Sequence, residues 1–462
     1  MSVVDAARTQ GRHVLVVTLD VLAARMAGPA IRAWEISRAL AVENDVRLAT
    51  FGTCDRTGEG FETRHIDPGD FRAQVDWADV VILQGFIAAS FPWLQDADVV
   101  LVADLYDPFH VESLEVQRDD PLPDRQAALA GALRELDAQV RRADLFLCAS
   151  HRQRDLWLGH LAAAGRVNPM TYDADPDLRS LLTIVPFGMA DEPPRQERHA
   201  IRGAVPGIGP DDHVVIWGGG VYNWFDTLTL VSAIDRVRHD VPDVRLFFLG
   251  MKHPNPDVPQ MRMAVRTRAL SDELGLTGRH VFFNDEWVPY EKRADYLLDA
   301  DLGVSCHFPS LETEFSFRTR ILDYLWAGLP MVTTEGDAFA DLITANGLGV
   351  VVPPEDVDAL AEALSSLLRD RERRDRCSEA VRREARAFEW PVALAPLVEF
   401  CRDPRRAADL QRPAGPGRLL TVTVARRSPA TLARALLRHY RSGGLRQVLS
   451  RVRWWWVARG RS

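Results

Sequence analysis

The stretch that decides the fold spans residues 305–337 and reads SCHFPSLETEFSFRTRILDYLWAGLPMVTTEGD. An apolar strand is predicted directly before it, at 302–304. A helix is predicted from about Arg318 to Ala327, because glycine and proline follow immediately and end helices. The apolar and β-branched residues 331–334 then predict the next strand. The stretch therefore carries one complete strand, turn, helix and strand unit of an α/β sheet.

Charged side chains gather where this predicted strand turns into the helix. Between the two elements we predict a polar loop that holds Glu312 and Glu314. Arg318, Arg320 and Asp323 follow at the start of the helix. In an open α/β sheet, ligands bind at the edge where the strands end. The sequence thus predicts a binding site for a polar ligand at this turn.

Length and composition indicate a soluble protein with more than one domain. The chain has 462 residues, of which 47% are hydrophobic and 26% are charged, and such a length exceeds a single ordinary core. No apolar run reaches the length needed to cross a bilayer, and the N-terminus lacks an apolar signal core. The five cysteines are far apart, which predicts reduced thiols and no zinc site. We therefore expect a cytoplasmic protein.

Strands and helices alternate twice along the chain, which predicts two Rossmann-like, doubly wound parallel sheets facing a cleft. A segment rich in proline, glycine and charge separates the two series. A short apolar helix after the second series is expected to pack back on the first domain. The predicted parts are a first domain at 1–189, a linker at 190–212, a second domain at 213–390, a returning helix at 391–402 and a basic tail at 403–462.

The tail differs in charge from the rest of the chain. Residues 410–462 contain twelve arginines and no acidic residue, and without these arginines the formal net charge of −9 becomes −21. Residues 445–459 predict a basic amphipathic helix with three consecutive tryptophans, a composition typical of an interfacial membrane anchor. Packing on the protein body or on a partner subunit is the alternative. We expect 418–462 to meet an anionic membrane surface, and we expect no nucleic-acid partner.

Several segments together resemble a known family. The strand ending IVPFG at 184–188, the segment VVIWGGGVYNWFDTLTLVSAI at 214–234 and the segment FSFRTRILDYLWAGLPMVTTEGD at 315–337 resemble GT-B glycosyltransferases. They are most similar to family 4, a group of retaining enzymes that includes many bacterial surface-polysaccharide transferases. The resemblance covers about residues 13–400. It implies a nucleotide-sugar donor on the second domain, an acceptor on the first domain, no metal and no other cofactor.

The family also implies roles for two acidic residues eight positions apart. Asp323 stands where the family has the second glutamate and is expected to bind the ribose diol of the donor. The first position falls on Phe315, so Glu314, one residue earlier, is predicted to bind hydroxyls of the donor sugar. Glu312 is the alternative for that position. In a purely structural interpretation, both glutamates belong to a solvated loop and Asp323 is a helix-surface charge.

The donor diphosphate needs cations, and the glycine loop does not supply them. The family usually places a lysine just after the first strand of the second domain, but here that loop has no lysine or arginine. Glycines allow a close approach of the backbone to phosphate, although the loop can also be a simple tight turn. The predicted phosphate-binding residues are Gly219, Gly220, Arg318, Arg320 and Lys252.

The first domain contributes weaker candidates. Gly28 stands where the family has a glycine loop facing the donor phosphates. His110 follows the fourth strand, where many members have a histidine beside the reacting sugar, although a lone histidine is more often structural. Asp107 is predicted to orient His110 or the acceptor hydroxyl. Trp287 is expected either to stack on the base or to pack in the core.

The sequence thus predicts a retaining hexosyltransferase that transfers a sugar to a glycan or a lipid-linked acceptor, in cell-surface polysaccharide biosynthesis. It is expected in the cytoplasm, peripherally on the inner face of the membrane. One alternative is an epimerase or phosphorylase on the same fold. Another is a non-catalytic scaffold that binds sugar nucleotides, which the missing lysine and the shifted glutamate make conceivable.

Overall fold

The computed structural model of the protein describes residues 11–24, 26–251, 261–286 and 288–411. These residues form two parallel-sheet α/β domains, as predicted, with a deep cleft between them. The inner strands of each sheet are short, apolar and almost fully buried, which is typical of sheets covered by helices on both faces. Within the described residues no helix is long and apolar enough to cross a membrane.

The first sheet has seven parallel strands in the spatial order β3-β2-β1-β4-β5-β6-β7. Val14 of β1 pairs with Val46 on one side and with Val80 on the other. One of the seven, the polar edge strand β3, was not predicted. The strands are β1 (His13–Thr18), β2 (Asp45–Thr50), β3 (Glu62–His65), β4 (Val80–Gln84), β5 (Val100–Asp104), β6 (Leu145–Cys148) and β7 (Leu182–Ile184).

Six α-helices cover this sheet. Three of them, α2, α3 and α6, were not predicted, and α3 matters because it starts directly at the cleft. The helices are α1 (Gly28–Leu40), α2 (Phe71–Trp77), α3 (Phe109–Val116), α4 (Leu122–Arg142), α5 (His151–Ala163) and α6 (Pro169–Ala174).

The second sheet has six parallel strands in the order β10-β9-β8-β11-β12-β13. In both sheets the strand order reverses beside the first strand of the domain, which is where α/β proteins bind ligands. The strands are β8 (His213–Trp217), β9 (Val244–Phe248), β10 (Val281–Phe283), β11 (Leu302–Ser305), β12 (Met331–Thr334) and β13 (Gly349–Val352).

The helices of the second half include one that corrects the sequence prediction. The predicted polar loop around Glu312 is wrong, because Ser310 caps a five-residue helix there by accepting a hydrogen bond from the Thr313 amide. The helices are α7 (Thr227–Asp240), α8 (Arg262–Glu273), α9 (Arg293–Leu297), α10 (Leu311–Phe315), α11 (Thr319–Ala327), α12 (Ala338–Asn346), α13 (Val357–Arg369), α14 (Arg371–Ala385), α15 (Trp390–Ala393) and α16 (Ala395–Arg402).

The chain returns to the first domain after α14. Both α15 and α16 contact α1, and the ring of Trp390 lies 4.9 Å from the ring of Phe187. Residues 403–411, which the sequence assigns to the tail, also pack on the first domain. There Asp409 and Arg166 form an ion pair at 2.7 Å whose side chains are almost fully buried. The remaining tail, 412–462, lies outside the described residues.

Tyr324 of α11 joins the second sheet to the cleft. Its ring lies against Gly303, where a β-carbon would come within 2.5 Å of the ring, so only glycine fits there. The Tyr324 hydroxyl lies 2.8 Å from the carbonyl of Val304 and accepts a hydrogen bond from the Gly218 amide. The helix predicted at 318–327 therefore fixes the glycine loop as well as following the strand.

Candidate active site in the interdomain cleft

The cleft lies between the carboxyl ends of the two sheets and encloses about 540 Å³. Most of the predicted site residues that the structure describes line it, together with several that were not predicted. Polar residues and glycines of both domains line the cleft. They include Asp20, Gly28, Tyr106, Asp107 and Glu112 from the first, and Gly218, Gly219, Gly220, Tyr222, Trp224, Arg293, Glu312, Arg318, Arg320 and Asp323 from the second.

The glycine loop follows β8 directly. Gly219 has a φ of +101°, a conformation that other residues rarely adopt. Beyond the loop, the rings of Tyr222 and Trp224 stack at 4.9 Å with an interplanar angle of 4°. The loop therefore presents glycine backbone and an aromatic surface to the cleft, but no cation.

Arg320 supplies a cation beside this loop. It reaches from α11 and donates a hydrogen bond from Nη2 to the Gly220 carbonyl at 2.9 Å. Its guanidinium lies 4.0 Å from the ring centroids of Trp217 and Phe225. Burial lowers the pKa of Arg320 to about 10, so the side chain stays charged at neutral pH. Nη1 is buried and has no hydrogen-bond partner among the described residues, which leaves one donor available to a ligand.

Arg318 is engaged differently. Its two terminal nitrogens bind the two carboxylate oxygens of Glu312, at 2.8 and 2.7 Å. The structure thus places Glu312 in the cleft wall. Glu314 is exposed and does not line the cleft. The two residues differ because positions two apart on a helix face different sides.

Asp323 lines the cleft as predicted from its position at the second acidic site. Arg293 donates a hydrogen bond from Nε to Asp323 Oδ1 at 2.8 Å. Burial raises the pKa of Asp323, although Arg293 opposes this. Asp323 therefore forms an ion pair with Arg293 at the cleft. It is not an isolated charge on the helix surface, which was the alternative prediction.

Two carboxyl groups of the first domain face this wall. Asp107 lies just before α3 and Glu112 lies within it, and their side chains share a hydrogen bond. Burial raises the pKa of Asp107 to about 6. Burial and the charge of Asp107 raise the pKa of Glu112 well above its ordinary range. The two carboxyl groups therefore keep a proton to a higher pH than isolated carboxyl groups do.

His110 does not join this group. Its ring lies 5.5 Å from Trp157 and 6.3 Å from His160, and the residue does not line the cleft. Burial lowers its pKa to about 4. The structure therefore brings Asp107 to the cleft but leaves His110 behind it.

The remaining predicted residues have mixed outcomes. Gly28 lines the cleft at the start of α1. Lys252 and Trp287 lie outside the described residues. Glu112 and Arg293 were not predicted; the only sequence signal for Glu112 was the Asp-Pro pair that starts its helix.

The chain is similar to known glycosyltransferases in sequence and in fold. Residues 212–370 match the family model of glycosyl transferases group 1. This match covers most of the second domain. A D-inositol 3-phosphate glycosyltransferase of Xylanimonas cellulosilytica is 27% identical over 331 residues, which cover 70% of this chain and 71% of the relative. In four further curated relatives the chain covers 18% to 53% of the relative's length.

Solved structures show the GT-B fold for the whole described body. Sucrose-phosphate synthase from Thermosynechococcus elongatus has a TM-score of 0.63 and 15% identity, over 85% of this chain and 98% of that one. HepE from Anabaena, in complex with UDP and glucose, has a TM-score of 0.60 and 13% identity, over 84% and 99%. The fold prediction is therefore confirmed, and the match to glycosyl transferases group 1 supports glycosyltransferase activity.

Proposed function

We propose that the protein is a retaining glycosyltransferase of the hexosyl type. It transfers a sugar from a nucleotide-sugar donor to a glycan or a lipid-linked acceptor. The match to glycosyl transferases group 1 supports the sugar-transfer chemistry. The structural neighbour HepE, which has the same fold, binds UDP and glucose. The donor binds the second domain, and the acceptor enters from the first.

One observation carries the proposal: Nη1 of Arg320 has no hydrogen-bond partner in the described structure and can donate a hydrogen bond to a ligand. A buried guanidinium beside a glycine loop, with Nη1 unpaired in the described structure, is arranged for an anion. Its carbonyl contact with Gly220 also links it to the loop that carries no cation of its own. Arg320 thereby takes the place of the lysine that the family usually has in this loop.

Arg318 and the glycine backbone complete the diphosphate site. Negative charge develops on the diphosphate as its bond to the sugar breaks. Cations beside that charge stabilise the transition state. Arg318 stays bound to Glu312, so that its charge is held in one orientation without being lost. Asp323 accepts hydrogen bonds from the ribose diol. Glu312 takes the role predicted for Glu314 and accepts hydrogen bonds from the donor sugar.

Transfer with retention then needs no separate protein base. The acceptor oxygen bonds to the anomeric carbon on the face from which the diphosphate leaves, and a phosphate oxygen takes the acceptor proton. Closure of the two domains excludes water and aligns the two substrates. We propose metal independence because arginines neutralise the diphosphate; within the described ranges no group of His, Cys, Asp and Glu side chains is arranged to hold a metal ion.

The cellular role extends this proposal. A basic tail at 418–462 supports peripheral attachment to an anionic membrane on its cytoplasmic face. Lipid-linked acceptors lie at such a surface, and this supports the proposal of a role in cell-surface polysaccharide biosynthesis, which the family resemblance implies.

A donor screen tests the proposal. The protein is heated with UDP, GDP and dTDP and with their hexose conjugates, and the best stabilising donor is incubated with candidate acceptors. We expect the nucleotide and the sugar conjugates of one of the three bases to raise Tm. A glycosylated product should then form with retained anomeric configuration. A free sugar product without any acceptor requirement would instead indicate an epimerase or phosphorylase. Donor binding without turnover across many acceptors would indicate a scaffold protein.

A further inference from the structure

Gln153 is fully buried at the boundary between the two domains. It lies in the first turn of α5, where its main-chain amide is held by the Ser150 side chain that caps the helix. Its side-chain oxygen accepts a hydrogen bond from the Ala149 amide at 2.7 Å. The orientation of the side-chain amide is therefore fixed by its own domain.

The amide nitrogen of Gln153 connects the two walls of the cleft. Nε2 donates to the carbonyl of Tyr106 at 2.8 Å and to the carbonyl of Phe315 at 2.8 Å. Tyr106 belongs to the first domain and lines the cleft, whereas Phe315 is the last residue of α10 in the second domain. A glutamine amide has two N–H groups, and both are used here.

The bond to Phe315 is made to the last residue of α10, the helix that carries the cleft residue Glu312. α10 contacts α3 and α5 of the first domain, and it holds Glu312. Through that contact Glu312 lies close enough to Asp107 and Glu112 to affect their pKa. Displacement of α10 would therefore move Glu312, and with it the paired Arg318.

A second contact from the same turn is weaker. Arg152 donates to the Gly336 carbonyl at 2.6 Å and to Asp341 at 3.0 Å. The Asp341 side chain is 82% exposed, so this ion pair is solvated and stabilises little. The contact made by Gln153 is buried. Loss of a hydrogen-bond partner there costs more free energy than loss of the exposed Arg152 contact.

We propose that Gln153 is a positioning residue that fastens α10 to the first domain when the cleft closes. It touches neither substrate, since it does not line the cleft, and acts through the placement of Glu312 and Arg318. The inference rests on the proposed transfer reaction for its kinetic consequence. Its structural part, the anchoring of α10, is independent of that reaction.

The variants Gln153→Met and Gln153→Glu test the proposal in the full-length protein. Methionine keeps the volume and removes the donors, and glutamate places a carboxylate against two carbonyls. Gln95→Met is the matched control, because Gln95 donates to the Ala138 carbonyl at 2.9 Å within the first domain alone. The readouts are Tm, the Kd of the nucleoside diphosphate selected from UDP, GDP and dTDP, turnover of its sugar conjugate, and hydrogen exchange of residues 311–316.

For both Gln153 variants we expect turnover about 10- to 100-fold lower and faster hydrogen exchange at 311–316. The Kd should weaken less than turnover falls, because Arg320 and the glycine loop stay in place. The control should match the wild type in all readouts. Wild-type turnover and exchange in both variants would overturn the proposal. So would a parallel loss of Tm, Kd and turnover in both, which indicates a general structural role. If the wild type itself binds no donor, the proposed function fails, while the exchange readout without substrate still decides whether Gln153 anchors α10.

Discussion

Arg318 and Glu312 form a two-bonded ion pair within the candidate active site, at 2.8 and 2.7 Å, and their side chains are only 5% and 6% exposed. Removing both charges from water is costly, and the paired geometry with two hydrogen bonds offsets that cost. The pair keeps the Arg318 cation at the cleft. Nη1 of Arg320 remains available as a hydrogen-bond donor. Binding of the nucleotide-sugar and stability of the fold therefore both depend on Arg318 and Glu312.

The first prediction separates Glu312 from Glu314. Glu312→Gln leaves Arg318 without its counter-charge, so we expect transfer to fall at least about 100-fold and stability to fall by about 3 kcal/mol. Glu314→Gln changes an exposed residue outside the cleft and should leave both near the wild type. Steady-state kinetics and urea unfolding of the two variants measure this. An inactive Glu314→Gln beside an active Glu312→Gln would return the role to Glu314.

The second prediction concerns Asp107 and pH. Because its folded pKa is raised to about 6, the folded protein keeps a proton that the unfolded chain loses above about pH 4. Stability associated with Asp107 is therefore lost as pH rises from about 4 to about 6. We expect Asp107→Asn to stabilise the protein by about 1–2 kcal/mol at pH 7.5.

At pH 4 the same substitution should give no gain, because Asp107 is then protonated in both states. Asp177→Asn is the control, since the Asp177 side chain is 77% exposed. Urea unfolding at the two pH values measures the effect. Equal effects of Asp107→Asn at both values would show that Asp107 is not held protonated.

The third prediction concerns His110. Its folded pKa is lowered to about 4, so it stays neutral where the unfolded chain is protonated. The stability it contributes is complete above about pH 6.5 and is lost as pH falls toward 4. His110→Phe keeps an aromatic ring against Trp157 and should reduce this acid-side loss. Turnover should stay within about threefold, because the residue lies outside the cleft; a loss of about 100-fold, or about 2.7 kcal/mol, would restore its catalytic role.

The fourth prediction concerns the basic tail. Deleting 418–462 should abolish binding to vesicles that contain anionic phospholipid, and salt should weaken binding of the intact chain, since each basic residue contributes about 1 kcal/mol at such a surface. Vesicle sedimentation measures this. The described body should remain folded, because the buried Asp409–Arg166 pair lies before the deletion. Unchanged vesicle binding after deletion would refute the anchor.

The sequence predicted the two sheets because their strands are continuous apolar runs, which signal burial on both faces. It missed β3, since Glu62–His65 contains no such run and lies at an edge. It also missed α10, because a five-residue helix is too short to show a periodic pattern. The fold was thus predictable wherever local pattern and burial agree.

The site was predicted less well for one geometric reason. Two of the residues chosen, Glu314 and His110, do not line the cleft, whereas Glu312 and Glu112 do. Each choice is two positions away, and two residues rotate a helix by about 200°. Local spacing identified segments that border the cleft, but which side of each helix faces the cleft depends on how α3 and α10 pack against each other.

The most direct test of the account is calorimetric titration of the selected nucleoside diphosphate into the wild type and Arg320→Met. Loss of hydrogen bonds to a charged group costs about 1.5–3 kcal/mol, so we predict a Kd about 10- to 100-fold weaker in the variant with little change in Tm. Arg371→Met, at a side chain that is 87% exposed, is the control and should bind as the wild type does. Equal affinity of Arg320→Met and wild type, or no binding of UDP, GDP or dTDP by the wild type, would contradict the account.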